Sequence, residues 1–314
     1  MLLLIVGALI GLALLTVAAD QLVLGSGRLA AGWGISPVVV GVVVIGIGTS
    51  APEFVVSGLA AAAGNPGLAL GNLVGSNIIN VTLILGIAGL VAPIAVRSSV
   101  ARREAPLTVL AVTVLAALAV LGLGRIAGVV LLVLTVAAVV LLIRFSREQP
   151  ADPLAGEVSE FLEPPPPSHR PVIEVVRAAA GLAGTLAGAE LVVVTATGAA
   201  DRLGVPAGVI GLTVVAFGTS LPELVTAIQA QRRGEGDLLI GNLLGSNLFN
   251  SLAGGAIVGL AERAGPVRMA VAAPAVMIAV NLLVWLLLRR RPGTGRIAAG
   301  LLLATYLITL PLVT

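Results

Sequence analysis

Two stretches decide how this chain is read: VVIGIGTSAPEFVVS, residues 43–57, and VVAFGTSLPELVTA, residues 214–227. Each is apolar at both ends and carries Thr, Ser, Pro and Glu at its centre. A proline inside a helix removes an N–H and clashes with the carbonyl four residues back. That carbonyl belongs to Gly48 for Pro52 and to Gly218 for Pro222. A break or kink is expected at both places, with backbone oxygens freed. If these segments cross a bilayer, such backbone is tolerated only where it faces protein or a wet cavity. An acid at the centre of a membrane helix costs about 2.5–3.5 kcal/mol, so two in equivalent places call for a function.

The composition supports a membrane setting. Of 314 residues, 58% are hydrophobic and 11% charged, against roughly 25% charged in soluble domains. Glycine is abundant, at 39 residues, which fits closely packed membrane helices. There is no cysteine, which excludes disulfide frameworks, thiolate metal sites and cysteine nucleophiles. The net charge of +3 comes from arginines scattered singly or in short clusters between apolar runs. That is the pattern of membrane loops rather than of a nucleic-acid surface.

At about 20 apolar residues per helix, ten spans are expected: 2–24, 36–63, 67–92, 105–122, 126–143, 173–197, 206–230, 237–260, 267–288 and 297–313. The first lacks a basic flank and is long for a signal peptide, so it reads as a retained span. Pro37, Pro66, Pro106, Pro206 and Pro266 fall where helix starts are expected. Alternate loops divide the arginines unequally. Arg28, Arg97, Arg102, Arg103, Arg144, Arg147, Arg170, Arg177, Arg232, Arg233, Arg289, Arg290, Arg291 and Arg296 lie on one side. Only Arg125, Arg202, Arg263 and Arg268 lie on the other. The positive-inside rule then puts both termini outside the cytoplasm. The acidic, proline-rich stretch around 145–171 falls on the positive side and reads as a semi-rigid cytoplasmic linker. His169, the only histidine, reads as a solvated residue of that linker.

Shifted by 170 residues, the chain matches itself. GTSAPE (48–53) aligns with GTSLPE (218–223), GNLVGSNIIN (71–80) with GNLLGSNLFN (241–250), and Asp20 with Glu190. The fold class expected is therefore an all-α membrane protein of ten helices. Residues 1–144 form a first five-helix repeat, 145–171 the linker and 172–314 a second repeat. Five is odd, so the second repeat enters the membrane inverted. Inverted repeats with broken helices mark secondary transporters, whose site lies at the midplane between the halves. The matched positions are polar, which duplication kept for packing alone would not require.

Gly46, Thr49 and Glu53 share a helical face at i, i+3 and i+7, with Ser50 at its edge. Ser76 and Asn80 follow at i and i+4 in the next span. Ala216, Thr219, Ser220, Glu223, Ser246 and Asn250 repeat the set. Pooled, they offer two carboxylates, hydroxyls, amide oxygens and freed carbonyls, all hard donors. With no imidazole or thiolate among them, zinc, copper and iron are disfavoured. Calcium takes 6–8 oxygens, and sodium accepts the same donor type. Asn77 and Asn247 read either as supporting donors or as helix-packing amides. Asn72 and Asn242 read as helix-terminating or capping residues. Asp20 and Glu190, near span ends, read as solvated or paired with loop arginines such as Arg28.

The paired motifs GTSAPE with GNLVGSNIIN, and GTSLPE with GNLLGSNLFN, resemble the alpha-repeats of the cation/calcium antiporter superfamily. Within it they are most similar to prokaryotic sodium/calcium exchangers, over nearly the whole chain. The resemblance implies that Glu53 and Glu223 are the central calcium and sodium ligands. It implies further oxygens from Thr49, Ser50, Ser76, Thr219, Ser220 and Ser246, and carbonyls from Gly46 and Ala216, with Asn80 and Asn250 lining the middle. Some relatives carry an aspartate at one of the last two positions. Here both are asparagine, leaving two formal charges. The resemblance also implies that the first and sixth spans slide together.

The leading expectation is an antiporter of a prokaryotic plasma membrane that exchanges calcium for sodium by alternating access. It would use no cofactor, with calcium and sodium ions and the lipid bilayer as its partners and no nucleic acid. Calcium/proton exchange is the first alternative, since buried carboxylates can carry protons. A cation channel is more remote, because channels usually build their filters from oligomeric rings. No catalytic triad, nucleophile elbow, phosphate loop or metalloprotease motif argues for an enzyme.

Overall fold

The computed structural model describes residues 1–35, 39–148, 153–162, 171–263, 265–290 and 293–313. Pro37 and His169 lie outside the described residues. The chain is almost wholly helical. Helix α1 (Leu2–Gly32) is followed by a π-helical turn at Val40–Ile45, a short α2 (Gly46–Thr49) and α3 (Ala51–Ala62). Next come α4 (Pro66–Ile79), a π turn at Asn80–Ile84 and α5 (Leu85–Val91), then α6 (Val100–Leu121), α7 (Arg125–Glu148) and α8 (Pro153–Leu162). The remainder repeats this order. Helix α9 (Pro171–Leu203) leads to α10 (Ala207–Ile210), a π turn at Gly211–Val215, α11 (Ala216–Thr219) and α12 (Leu221–Arg233). Then follow α13 (Gly236–Phe249), a π turn at Asn250–Gly254, α14 (Gly255–Ala261), α15 (Ala272–Arg290) and α16 (Arg296–Val313).

Among the described residues, seven helices are long and apolar enough to cross a membrane, or nine if each of two bent pairs counts as one span. The region expected as the tenth span is a shorter apolar helix, Arg296–Pro311. Several boundaries move. Helix α1 runs two turns beyond the expected end at residue 24, and α6 begins at Val100, so Pro106 lies inside a helix rather than at its start. Pro266 packs under Gly122 and Gly124 and starts no helix. Pro66 does sit at the start of α4. The all-helical expectation also has one small exception. Ile94 pairs with Thr294 and Ala95 with Gly293 in a two-residue antiparallel strand pair, β1 (Ile94–Ala95) and β2 (Gly293–Thr294). An isolated bridge joins Leu123 to Val267. Both links tie a loop of one repeat to a loop of the other.

Small residues set how closely the helices approach. Helices α1 and α9 run against each other along their length. A Cβ on Gly11 would lie 3.1 Å from the Gly188 carbonyl, and one on Gly188 would lie 2.9 Å from that of Gly11. Helix α4 is buried over twelve consecutive residues from Leu68 to Ile79. It packs on the π turn at 211–215, where Gly71 and Gly75 leave space for the carbonyls of Gly208 and Leu212. Helix α13 is buried over its whole length, Gly236–Phe249. These two buried helices form the centre of the protein, so their polar residues are delivered to its interior.

Within the stretch read as a linker, α8 is an amphipathic helix. Leu154, Val158 and Leu162 are buried, a stripe at i, i+4 and i+8. Helix α8 rests on α1, α13 and the first π turn. Leu162 packs on Gly27, its carbonyl accepts from Arg28 Nε at 2.9 Å, and Glu157 Oε2 accepts the Leu238 N–H at 2.7 Å.

Candidate functional site

The two proline-bearing motifs break as their sequence dictates. Ser50, at φ −82° and ψ 1°, separates α2 from α3, and the pair is bent by 49°. Ser220, at φ −84° and ψ 8°, separates α11 from α12, and Ala207–Thr219 and Leu221–Arg233 are bent by 41°. Pro52 and Pro222 then occupy the opening turn of a new helix, where a missing N–H loses nothing. The same break places Glu53 and Glu223 in the first turns of α3 and α12. There the positive end of the helix dipole favours an anion.

The site residues named from sequence converge in the interior. Glu53, Ser50, Ser76, Asn80, Thr219, Glu223, Ser246, Asn250 and Ala216 are at 0% exposure, with Thr49 and Ser220 at 1%. Gly46 is likewise buried, against Gly245. Contacts cross between the repeats. Ser220 Oγ donates to Glu53 Oε1 at 3.0 Å, and Thr49 Oγ1 lies 3.1 Å from both Asn242 Oδ1 and Ser246 Oγ. Thr219 Oγ1 donates to Asn72 Oδ1 at 3.0 Å. The hydroxyls of Thr219 and Ser76 flank Glu53, those of Ser246 and Thr49 flank Glu223, and the two carboxylates lie within electrostatic reach of each other. The Gly46 and Ala216 carbonyls lie 3.4 and 3.3 Å from the Thr49 and Thr219 hydroxyls and accept the Ser50 and Ser220 N–H groups at 3.4 and 3.1 Å.

Buried polar atoms are normally hydrogen-bonded. Here Ser50 Oγ, Glu53 Oε2, Ser76 Oγ, Asn80 Oδ1, both oxygens of Glu223 and Asn250 Oδ1 have no partner. Neither glutamate has an ion pair with an arginine among the described residues. Two buried carboxyl groups amid orphaned oxygens, with no arginine paired to them among the described residues, make an environment short of positive charge. Such an environment fits hard cations. Among the described residues no cluster of three or more Asp, Glu, His or Cys side chains could hold a metal. Any ion bound here must therefore take most of its ligands from neutral oxygens.

The structure assigns the remaining polar residues more closely than the sequence does. Asn72 and Asn242 are not caps. Both lie within buried helices and accept the Thr219 and Thr49 hydroxyls. The Asn72 amide nitrogen donates to Ser57 Oγ at 2.9 Å. The position 170 residues on is Ala227, which accepts nothing, and Asn242 Nδ2 is unpartnered. Asn247 holds Asn80, whose Nδ2 donates to Asn247 Oδ1 at 3.0 Å. Asn281 of α15 was overlooked, although a lone amide amid the apolar run 275–288 was a legible signal. Asp20 and Glu190 are exposed, and Arg28 pairs with Glu174 at 3.4 Å rather than with Asp20. The π turns beginning at Asn80 and Asn250, and those ending just before Gly46 and Ala216, carry no recognisable local sequence signature. Such turns frequently mark functional sites.

The sodium/calcium exchanger protein family matches residues 3–144 and 174–314 of this chain. The inner membrane protein YrbG of Escherichia coli K12 is 37% identical over 311 residues, covering 96% of this chain and 94% of its own. The sodium/calcium exchanger MaX1 of Methanosarcina acetivorans is 28% identical over 278 residues, covering 77% and 78%. Among solved structures, the sodium-calcium exchanger NCX_Mj soaked with Na+ and Sr2+ superposes with a TM-score of 0.70 at 33% identity, covering 99% of this chain and 98% of that one.

Proposed function

The chain belongs to the sodium/calcium exchanger protein family, a family of transporters rather than enzymes, and we propose that this membrane antiporter drives calcium transport with the sodium gradient. The carrying observation is the set of orphaned, buried oxygens contributed by both repeats around Glu53 and Glu223. A dehydrated cation at that place would supply the positive charge that these oxygens lack. Calcium takes 6–8 oxygens, and two carboxylates balance one divalent ion or two monovalent ones.

Proton direction supports the assignment. A hydroxyl that donates to an amide or carboxylate oxygen turns its lone pairs elsewhere. Thr49 donates toward Asn242, Thr219 toward Asn72 and Ser220 toward Glu53. The lone pairs of all three then remain to accept from another group or to meet a cation. Neutral oxygens at this density suit sodium as the counter-ion, competing with calcium for overlapping ligands. Proton exchange would need only the two carboxylates.

The ten-span, inverted arrangement gives this site two-sided access. Counting each bent pair as one span and adding α16 makes ten. The halves are 1–144 and 172–314, and 145–171 joins them. Helices α1 and α9, in contact through glycines, form the sliding pair. Val23 and Leu12 of α1 pack on Gly48 and Gly218 beside the two breaks, so a shift of α1 would uncover one break or the other. The arginine bias puts the linker in the cytoplasm of a prokaryotic cell and both termini outside. In this cysteine-free chain, Gly156→Cys should be labelled by an impermeant maleimide only from the cytoplasmic side.

Radioactive calcium uptake into sealed proteoliposomes tests the coupling. Uptake should follow an imposed outward sodium gradient at fixed pH and collapse with it. Uptake that ignores sodium and follows a pH gradient would establish proton coupling instead.

A further inference from the structure

We propose that Asn281, on the outer helix α15, is a positioning residue that locks one ligand of the ion site through a relay of amides. The relay starts at the Met277 carbonyl, which only accepts, so the Asn281 Nδ2 must point at it, 2.9 Å away. The Asn281 oxygen therefore faces Asn247, whose Nδ2 donates to it at 2.9 Å. The same Nδ2 gives its second proton to the Asn77 carbonyl at 2.9 Å. Both amide protons of Asn247 are thus engaged, and its oxygen accepts from Asn80 Nδ2 at 3.0 Å. Asn80 is left with its Oδ1 buried, unpartnered and committed to the site. Each amide fixes the polarity of the next, and the chain has one consistent orientation.

The other half has no such relay. Carrying the 170-residue offset forward, Asn281 corresponds to Ala111, a buried residue with no amide to offer. Asn77, the counterpart of Asn247, turns its nitrogen to the Leu73 carbonyl of its own helix at 2.8 Å, and its oxygen accepts from Ser251 at 3.3 Å. Asn250, the counterpart of Asn80, has neither amide atom partnered. The site therefore joins a fixed oxygen from Asn80 to a free amide at Asn250. Without Asn281 the Asn247 amide loses one of its two acceptors, and only the Asn77 carbonyl still opposes its turning over. Asn80 would then be free to present its NH2, a donor, to the cation. A divalent ion suffers more from that reversal than a monovalent one.

This inference rests on the reading of Asn80 as a ligand, and the experiment separates the two. Equilibrium binding of radioactive Ca2+ to the purified full chain is measured for Asn281→Val and Asn281→Thr, alone and combined with Asn80→Ala. The valine is nearly isosteric with threonine but cannot hydrogen-bond. The threonine hydroxyl can donate to the carbonyl four residues back, as Thr82 donates to Ile78 here, and still accept from Asn247. Asn281→Val should weaken Ca2+ binding about tenfold and Na+ competition less, and Asn281→Thr should stay within about twofold of the parent. In the Asn80→Ala background the two variants should be indistinguishable, because coupled residues are non-additive. Equal losses in both backgrounds, or no advantage of Thr over Val, would overturn the relay alone. Unchanged Ca2+ binding in Asn80→Ala itself would remove Asn80 from the site, and the relay with it.

Discussion

Ser220 of one repeat donates a 3.0 Å hydrogen bond to Glu53 of the other, and the equivalent bond from Ser50 to Glu223 is not formed. The two halves of the site are therefore built alike but hydrogen-bonded differently. Glu53 keeps one oxygen free and Glu223 keeps both. GTS and PE recur at both breaks, and the two motifs differ only in Ala51 against Leu221.

Thr49 and Thr219 make the same bond twice, to Asn242 and to Asn72 at 3.1 and 3.0 Å. Thr49→Val and Thr219→Val should each fold and each weaken calcium binding. Leaving the asparagine oxygen unpaired costs about 1–3 kcal/mol, quite apart from the ligand oxygen lost. Calcium titrations of both variants check this, and full retention of affinity in either would exclude that hydroxyl as a ligand.

Gly75→Ala should loosen the junction between the repeats. The added Cβ would collide with the Leu212 carbonyl and lie 2.7 Å from the Ala216 Cβ. Overpacking of this kind costs about 1–3 kcal/mol, and here the main obstacle is backbone, which yields little. The apparent unfolding temperature in detergent should fall for Gly75→Ala. It should not move for Gly300→Ala, where nothing lies within 4 Å.

Docking of α8 should weaken as pH rises. Burial pushes the Glu157 carboxyl up to about 7, from an ordinary 4.5. The Leu238 N–H opposes that rise, while the charges of Asp237 and Glu235 add to it. Glu235 is itself raised by burial, with Arg233 opposing and Glu160 adding to the shift. A carboxyl whose pKa is raised on docking contributes its full stabilisation below pH 4.5 and loses it as pH climbs through about 7. Amide exchange across residues 153–162, corrected for intrinsic rates, should be faster at pH 8 than at pH 5.5. Glu157→Gln should remove most of the difference. Exchange that slows with rising pH would contradict the assignment.

Much of this was legible in the sequence because the informative residues are costly in a bilayer. Pro52, Pro222, Glu53 and Glu223 are each hard to place in hydrocarbon, so the breaks and the buried acids could be read directly. Asn72 and Asn242 read as caps because a polar residue after glycine near a span edge looks like one. Only the depth of α4 and α13 reveals them as interior. Pro106 misled for a related reason, since a helix can carry a proline early and still extend N-terminally past it. The docking of α8 depends on contacts with α1 and α13 that lie far away in sequence, and a linker rich in proline and acid gives no sign of them.

On the function proposed, Glu53 and Glu223 together hold one calcium ion that sodium displaces. Equilibrium binding of radioactive calcium to the purified chain tests it most directly. One calcium should bind per chain and be released by sodium, with binding lost in Glu53→Gln and equally lost in Glu223→Gln. Undiminished calcium binding in either single variant would contradict it.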